Sequence, residues 1–219
     1  MATLLLRMAA PLQSWGVSSK FEIRETAKEP TKSGVVGMIA AALGRSRMEP
    51  VDDLVQLRFG VRVDQEGELT RDFHMVHGEK NSYVTNRYYL ADAIFLVGLE
   101  SNDTSFLQEL KFALEHPKFS LFLGRRSCPP TYPFVLQIES KGLIDSLKEY
   151  PSLLPEWRKN KNFNCRIIYD DPNKEDKASR VQDVSVSFSP FHRQFGYRLV
   201  SEKNISLSHE EHDPMRELR

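Results

Sequence analysis

Residues 31–44 have the sequence TKSGVVGMIAAALG, and this segment anchors the interpretation of the fold. Thr31 or Ser33 can cap a helix at its N-terminus, and Gly44 is typical of the position that follows a C-terminus. The residues between these caps are mostly small, and the smallest are Gly34, Gly37 and Ala40–Ala42. A helix this thin can approach a sheet closely, which offsets the roughly 1 kcal/mol that a glycine costs in a helix interior. The segment therefore predicts a helix packed tightly on a β-sheet.

The segments on either side of this helix predict strands. Residues 3–10 (TLLLRMAA) predict a first strand, and the loop from Pro11 to Pro30 that follows is long enough to suggest a functional role. Residues 57–63 and 68–76 flank the turn sequence DQEG and predict a β-hairpin. Residues 90–99 predict an apolar strand, and a further helix is predicted between Thr104 and Pro117.

The second half of the chain predicts more strands. Apolar runs at 133–138, 184–188 and 195–199 have the length or alternation of β-strands, and 143–154 predicts a short helix. Strands and helices mixed in this order indicate an α+β fold with antiparallel pairing, for which a ferredoxin-like arrangement is one candidate.

The overall charge gives no support for nucleic-acid binding. The 219 residues include 30 Lys and Arg and 30 Asp and Glu, so the net charge is zero. An RNA site must therefore come from local clustering. Residues 1–50 carry seven basic residues against four acidic ones, whereas residues 201–219 carry three basic against five acidic.

The sequence predicts a cytoplasmic protein with reduced thiols. No basic residue precedes the short apolar patch at the N-terminus, so a signal peptide is not predicted, and no apolar run is long enough for a membrane span. Cys128 and Cys165 belong to no CxxC pair, so neither a zinc site nor a disulfide is indicated. No cofactor is expected, because Walker, GxGxxG and GxSxG sequences are all missing.

Three segments together resemble one protein family. They are LRMAAPLQSWG at 6–16, PTKSGVVG at 30–37 continuing to Leu43-Gly44, and LGRRSCP at 123–129. Shorter similar segments are RDFH at 71–74, YLADA at 89–93 and RQF at 193–195. In this order, across nearly the whole chain, they resemble the CasD family, the RAMP-type subunit of the type I-E CRISPR Cascade complex.

The resemblance implies both a fold and a function. The implied fold is a single domain over residues 1–219, of modified ferredoxin-like (RRM-like) type, with a thumb extension at about 77–90 and additional C-terminal strands. The implied function is that of a non-catalytic subunit that holds the 5′ handle of the guide crRNA and caps the backbone during antiviral DNA surveillance. The implied partners are the Cascade backbone subunit, the large subunit and, through the assembled complex, target DNA; no membrane partner is expected.

The strongest candidate RNA-binding residues are Gly124, Arg125 and Arg126. They lie in a turn-like segment that ends at Pro129, where two planar guanidinium forks and exposed backbone N–H groups can face phosphates. From residue type alone, a charged surface turn is favoured. The resemblance favours the RNA site.

The loop after the first strand supplies another candidate group. Trp15 can stack on an unpaired base while Gln13 and Ser14 bind a base edge or a sugar. From residue type alone, a position in the core is favoured for Trp15. Lys32 and Ser33 at the helix start can bind a phosphate, or equally form an ordinary cap with a solvated lysine. Arg45, one of the basic residues of the first fifty, completes the expected RNA-binding set.

His74 is assigned to RNA binding, but it also carries the alternative function. With His77, Lys80 and Tyr83 it offers the acid and base groups of a metal-independent CRISPR repeat endoribonuclease, which needs a base on the 2′-OH and a donor to the leaving oxygen. A protein-only assembly module is a third possibility. The tail sequence HEEHD at 209–213 is not a HExxH motif, and we expect a solvated tail there and no metal site.

Overall fold

The computed structural model describes residues 1–16, 22–78, 81–158, 162–171, 173 and 178–208. These residues form eleven strands and four α-helices, with one 3-10 turn at Glu156–Arg158. The strands are β1 Ala2–Ala9, β2 Leu12–Gln13, β3 Ile23–Arg24, β4 Arg58–Gln65, β5 Glu68–His77, β6 Ser82–Ala91, β7 Ile94–Ser101, β8 Val135–Glu139, β9 Asn162–Asp170, β10 Ser179–Ser187 and β11 Gln194–Ser208. The helices are α1 Lys32–Leu43, α2 Asp52–Val55, α3 Thr104–Glu115 and α4 Leu143–Glu149.

The main sheet has a ferredoxin-like centre. Its strand order is β10-β11-β9-β4-β7-β1-β8, and the chain passes through β1, α1, β4, β7, α3 and β8 to build the middle. Every pairing in this sheet is antiparallel. The predicted α+β, modified ferredoxin-like (RRM-like) fold is confirmed, and β9, β10 and β11 are the additional C-terminal strands.

The two faces of strand β1 pack against different helices. Leu4 and Leu6 belong to the apolar cluster that includes residues of α1 and α3, whereas Leu5 belongs to a cluster with Leu143 and Leu147 of α4. Because successive side chains in a strand point to opposite faces, a central strand covered on both sides is apolar throughout. This burial explains the run of three leucines at 4–6.

Helix α1 begins and ends where the sequence predicts. The Thr31 hydroxyl accepts a hydrogen bond from the Gly34 N–H at 3.2 Å, so Thr31 and not Ser33 is the N-cap. Gly44 closes the helix in the left-handed conformation, with a φ of 80°. A Cβ on Gly37 would lie 3.4 Å from the Phe188 ring, so the thin face of α1 packs beside β10. The prediction of a helix packed closely on the sheet is confirmed.

The hairpin predicted for residues 57–76 is wrong. Strand β4 lies in the main sheet between β7 and β9, whereas β5 pairs with β6 over its whole length, from Glu68–Ala91 to His77–Ser82. The turn sequence at 64–67 connects two different sheets, because β4 is buried on both faces and β5 is mostly exposed. Residues 77–90, where a thumb extension is expected, include the end of β5 and most of β6.

The second sheet is organised around β6. Strand β5 lies along one edge of β6, and the short strands β2 and β3 pair with the other edge, β2 antiparallel and β3 parallel. This sheet joins the long loop after β1 to the β5–β6 hairpin. Within the described residues, no helix combines the length and the apolarity that crossing a bilayer requires.

Candidate nucleic-acid interface

The loop after β1 is folded around Trp15. Its side chain is 1% exposed, and its indole N–H donates to Gln13 Oε1 at 3.2 Å. A Cβ on Gly34 would lie 2.9 Å from the indole ring, so only glycine lets α1 approach this closely. In this structure Trp15 fills the core, which was the alternative to base stacking, and its ring is not available to an unpaired base.

Gln13 and Ser14 tie this loop to the second sheet. The Gln13 amide donates to the carbonyl oxygens of Met8 and Ala93, at 3.3 and 2.8 Å, and Ser14 Oγ donates to the Tyr88 carbonyl at 3.1 Å. Both side chains are buried. The structure gives them a positioning role for the loop and leaves them no free donor facing solvent.

Lys32 lies inside an ion-pair network and not at the surface. Its ammonium group is 2.9 Å from Asp170 Oδ2, and its backbone N–H donates to Asp183 Oδ2 at 2.9 Å. Arg198 bridges the same two carboxylates, at 2.7 Å from Asp170 and 2.6 Å from Asp183. Burial alone would lower the pKa of Arg198, but its bonds to Asp183 and Asp170 raise it. Lys32 therefore holds the start of α1 to the C-terminal strands.

Arg45 and Ser33 do not join a common site. Arg45 makes two hydrogen bonds to the Asp53 carboxylate, at 2.6 and 2.5 Å. The bond raises the pKa of Arg45 and lowers that of Asp53. Ser33 is half-buried in the first turn of α1, at the opposite end of the helix from Arg45. The guanidinium group of Arg45 is thus already bound to a carboxylate of its own chain.

Gly124 is required by packing. Its φ is 84°, and a Cβ placed on it would lie 1.6 Å from the Ser14 carbonyl oxygen. The turn it begins is fixed by three backbone hydrogen bonds, from Ser14 N to Leu123 O, from Leu123 N to Cys128 O and from Cys128 N to Arg125 O. This arrangement joins two of the segments that carry the family resemblance, and it presents Arg125 and Arg126 from a rigid base.

Arg125 and Arg126 have different surroundings. The Arg125 guanidinium lies over the Tyr89 ring, 4.6 Å from its centroid, and Nη2 donates to the Arg24 carbonyl at 3.0 Å. Nη1 of Arg125 is shielded from solvent and has no hydrogen-bond partner in the described part of the chain. Arg126 is exposed, and its side chain forms no ion pair with the described residues. The Arg125 side chain is thus held in place, whereas the Arg126 side chain is free to move.

A row of side chains along β6 continues the surface that Arg125 begins. Residues 83, 85, 87 and 89 point to one face of the sheet, because side chains alternate along a strand. On this face Thr85 Oγ1 and Arg87 Nε are, like Arg125 Nη1, shielded and without a partner among the described residues. Arg24 is paired in parallel with Arg87 and shares its face. We call Arg24, Thr85, Arg87, Tyr89 and Arg125 the arginine face.

Thr85, Arg87 and Tyr89 were not predicted as site residues. The sequence SYVTNRYYLA at 82–91 does alternate, with Tyr83, Thr85, Arg87 and Tyr89 on one side. This alternation is visible in the sequence, but the polar composition of the segment did not favour a strand. Recognising that β6 is the centre of a second sheet requires the pairings of β2, β3 and β5, which are tertiary information.

His74 lies on the strand beside the arginine face. Its Nε2 is 2.5 Å from Asp72 Oδ2, and both side chains are more than two-fifths exposed. The paired position on β6 is Thr85. His77 is three residues further along β5, so its side chain points to the other face, where Nδ1 is 2.9 Å from Ser82 Oγ. The two histidines are therefore not brought together as an acid and base pair.

A metal centre is not formed by the described residues, since no three of their His, Cys, Asp and Glu side chains are grouped to hold an ion. The tail motif at 209–213 lies outside the described residues. Cys128 and Cys165 are free and buried, as a reduced state requires. The chemistry available at this surface is therefore hydrogen bonding and charge, from guanidinium groups beside aromatic rings.

Comparison with known proteins gives a consistent result. The family described as CRISPR-associated protein (Cas_Cas5) matches residues 3–201. The CRISPR system Cascade subunit CasD of Escherichia coli (strain K12) is 36% identical over 157 residues, which cover 61% of this chain and 69% of that protein.

Two solved structures are similar over nearly the whole chain. One, described as a crystal structure of a Cas protein, is 40% identical with a TM-score of 0.74, covering 92% of this chain and 94% of its own. The other, described as a CRISPR RNA-guided surveillance complex, is 31% identical with a TM-score of 0.81, covering 94% of this chain and 91% of its own. With its ferredoxin-like centre and these matches, the chain belongs to the Cas5 family of CRISPR-associated proteins and is related to CasD.

Proposed function

We propose that this protein is a non-catalytic RNA-binding subunit of a type I-E Cascade complex and that it holds the 5′ handle of the guide RNA on the arginine face. The observation that carries the proposal is the group of arginines around this face. Arg24 and Arg126 are exposed, and the Arg125 guanidinium is held over the Tyr89 ring. Thr85 Oγ1, Arg87 Nε and Arg125 Nη1 have no hydrogen-bond partner among the described residues.

The chemistry of this face suits single-stranded RNA. A planar guanidinium group can donate two parallel hydrogen bonds to the oxygens of one phosphate. Arg125 is already stacked on Tyr89, so its side chain loses little conformational freedom on binding. Single-stranded RNA is recognised by such cationic and aromatic surfaces, which do not require a groove of fixed width. The names of the similar proteins, a Cascade subunit and an RNA-guided surveillance complex, support the same ligand.

The proposed partners follow from this assignment. They are the crRNA 5′ handle, the adjacent backbone subunit, the large subunit and, through the assembled complex, target DNA. A cytoplasmic location follows from the proposed guide-RNA partner. The proposal includes no catalytic step, because His74 pairs with Asp72 whereas His77 points to the opposite side of β5.

The test is to measure handle binding by the Arg125→Ala/Arg126→Ala variant. We expect weaker binding. The slope of log affinity against log salt concentration should be less steep by about 1.4, because each phosphate contact to a single strand contributes about 0.7. The matched control is Arg158→Ala/Arg180→Ala. These two arginines are exposed and, like Arg125, lie over aromatic rings, at 4.5 Å from Trp157 and 3.9 Å from Tyr197.

The same experiment separates three functions. Weaker binding by the arginine-face variant with an unchanged control supports the proposed RNA-holding role. Cleavage of repeat RNA by the purified chain, without added metal, would instead support the endoribonuclease. No interaction with RNA, either alone or in the reconstituted complex, would leave a protein-only assembly role.

A further inference from the structure

Arg47 and Arg193 are carried by two segments that are in contact, the segment after helix α1 and the turn between β10 and β11, at the other end of α1 from the loop around Trp15. Ser189 Oγ contacts Met48 Sδ at 3.5 Å, so the turn packs against the segment that follows α1. Arg47 precedes Met48, and Arg193 follows the turn. Helix α1 has twelve residues and is therefore about 18 Å long, which separates this pair from the Gly34 end of the helix.

The two guanidinium groups have no counter-ion among the described residues. Arg193 forms a single ring contact, over Phe195 at 4.9 Å, and Arg47 forms no ion pair within the described ranges. Burial lowers the pKa of Arg193, and the charge of Arg47 lowers it further. Like charges that repel in this way are stabilised when an anion lies between them.

Two carboxylates near Arg47 in sequence are committed elsewhere. Glu49 accepts the Ser46 N–H at 2.6 Å, and its charge acts on Arg45 and Lys118. Asp53 is bound by Arg45. Neither carboxylate forms an ion pair with Arg47 or Arg193 in the described part of the chain. An external anion is thus the group that would complete the pair.

The surroundings of the pair indicate which anion fits. Phe191, two residues before Arg193, is 89% exposed, and Met48, next to Arg47, is 66% exposed. His192 and Gln194 add polar groups next to them. A small inorganic ion would use only the charges, whereas a nucleic-acid strand offers a phosphodiester to the arginines and a base or sugar to the exposed ring.

We propose that Arg47, Arg193 and Phe191 form a second binding site, for the sugar-phosphate backbone of a single-stranded nucleic acid. This site is separate from the arginine face, and it does not depend on recognition of the 5′ handle. It accounts for the position of the RQF segment at 193–195, which the handle site does not use.

The test uses the full chain and a fluorescent oligouridylate of about 16 nucleotides, which lacks any handle sequence and falls within the site sizes of single-strand binders. We expect Arg47→Ala/Arg193→Ala to weaken binding about tenfold near 0.1 M salt and to lower the logarithmic salt slope by about 1.4. Arg158→Ala/Arg180→Ala removes the same charge elsewhere and should leave both values near those of the unmodified chain. Melting temperatures verify that all variants fold.

A second measurement tests the aromatic contact. Photocrosslinking of a 4-thiouridine oligonucleotide, followed by mass spectrometry, should give an adduct on residues 188–195 that Phe191→Ala reduces. Unchanged affinity and salt slope in Arg47→Ala/Arg193→Ala would overturn the proposal, as would loss of complex assembly with normal oligonucleotide binding, which would indicate a protein partner. Running Arg125→Ala/Arg126→Ala in parallel distinguishes failure of this site from failure of the handle site.

Discussion

Replacing Gly124 by alanine would test how the turn at 123–128 is held against the loop around Trp15. Gly124 has a φ of 84°, a conformation that L side chains rarely adopt, and its missing Cβ leaves room for the Ser14 carbonyl. In the Gly124→Ala variant the new carbon would be 1.6 Å from that oxygen. Because the obstacle is backbone and not a flexible side chain, the turn itself has to move.

The size of the effect follows from two contributions. A left-handed conformation costs a residue with a side chain about 1–2 kcal/mol. Moving the turn also breaks the hydrogen bond from Ser14 N to Leu123 O, now 3.1 Å, which is worth about 1 kcal/mol. We therefore expect a loss of about 2–3 kcal/mol in the free energy of unfolding. For a chain of 219 residues this corresponds to a melting temperature lower by about 4–12 °C.

Thermal unfolding and handle binding should be measured together. Handle affinity should fall as well, because displacement of the turn moves Arg125 away from Tyr89. The control is Gly16→Ala, since a Cβ on Gly16 would meet no atom of the described residues within 4 Å. A Gly124→Ala protein that melts within about 1 °C of the unmodified chain would refute the packing argument.

Three further predictions concern other parts of the chain. His74→Ala should leave the length of guide RNA unchanged on a denaturing gel of a reconstituted complex, because His74 pairs with Asp72 while His77 points to the other face of β5; loss of mature guide with binding retained would favour the endoribonuclease. Gly37→Ala should be tolerated in a thermal melt, whereas Gly37→Leu must displace the Phe188 ring and should cost about 1–3 kcal/mol; equal melting temperatures would show that this contact is unimportant. Burial raises the pKa of Cys165 to about 11, so above pH 9 the unfolded thiol ionises first and the free energy of unfolding should fall as the pH rises towards 11. In urea unfolding, Cys165→Ala should lack that part of the pH dependence, and an identical profile would contradict the assignment.

Helix α1 and the central strands could be predicted because their signals are local. The cap at Thr31, the stop at Gly44 and the leucine run of β1 each depend on a few neighbouring residues. The error at residues 57–76 has a physical cause as well. A turn sequence shows that the chain reverses, but not which sheet receives the next strand, and here β5 pairs with β6.

The candidate site was harder to predict, because exposure of a polar residue is not a local property. Lys32 resembles a phosphate ligand in sequence, but its partner Asp170 is 138 residues away. Gln13 likewise bonds to a carbonyl 80 residues further along. Arg125 and Arg126 lie on the surface turn where the sequence placed them, and Arg87 became visible only when the second sheet was assembled. Their contact with RNA stays a prediction.

Lys32 pairs with carboxylates far along the chain, so helix α1 can take its final position only after those residues have been synthesised. Asp170 and Asp183 follow Lys32 by 138 and 151 residues, so at 5–20 residues per second the ribosome needs about 7–30 s to supply them. Until then α1 has a lysine at its start whose burial would leave an uncompensated charge, so the helix cannot settle into its final place. A chain interrupted before Asp170 would therefore remain open to proteases and would not persist as a partly working subunit.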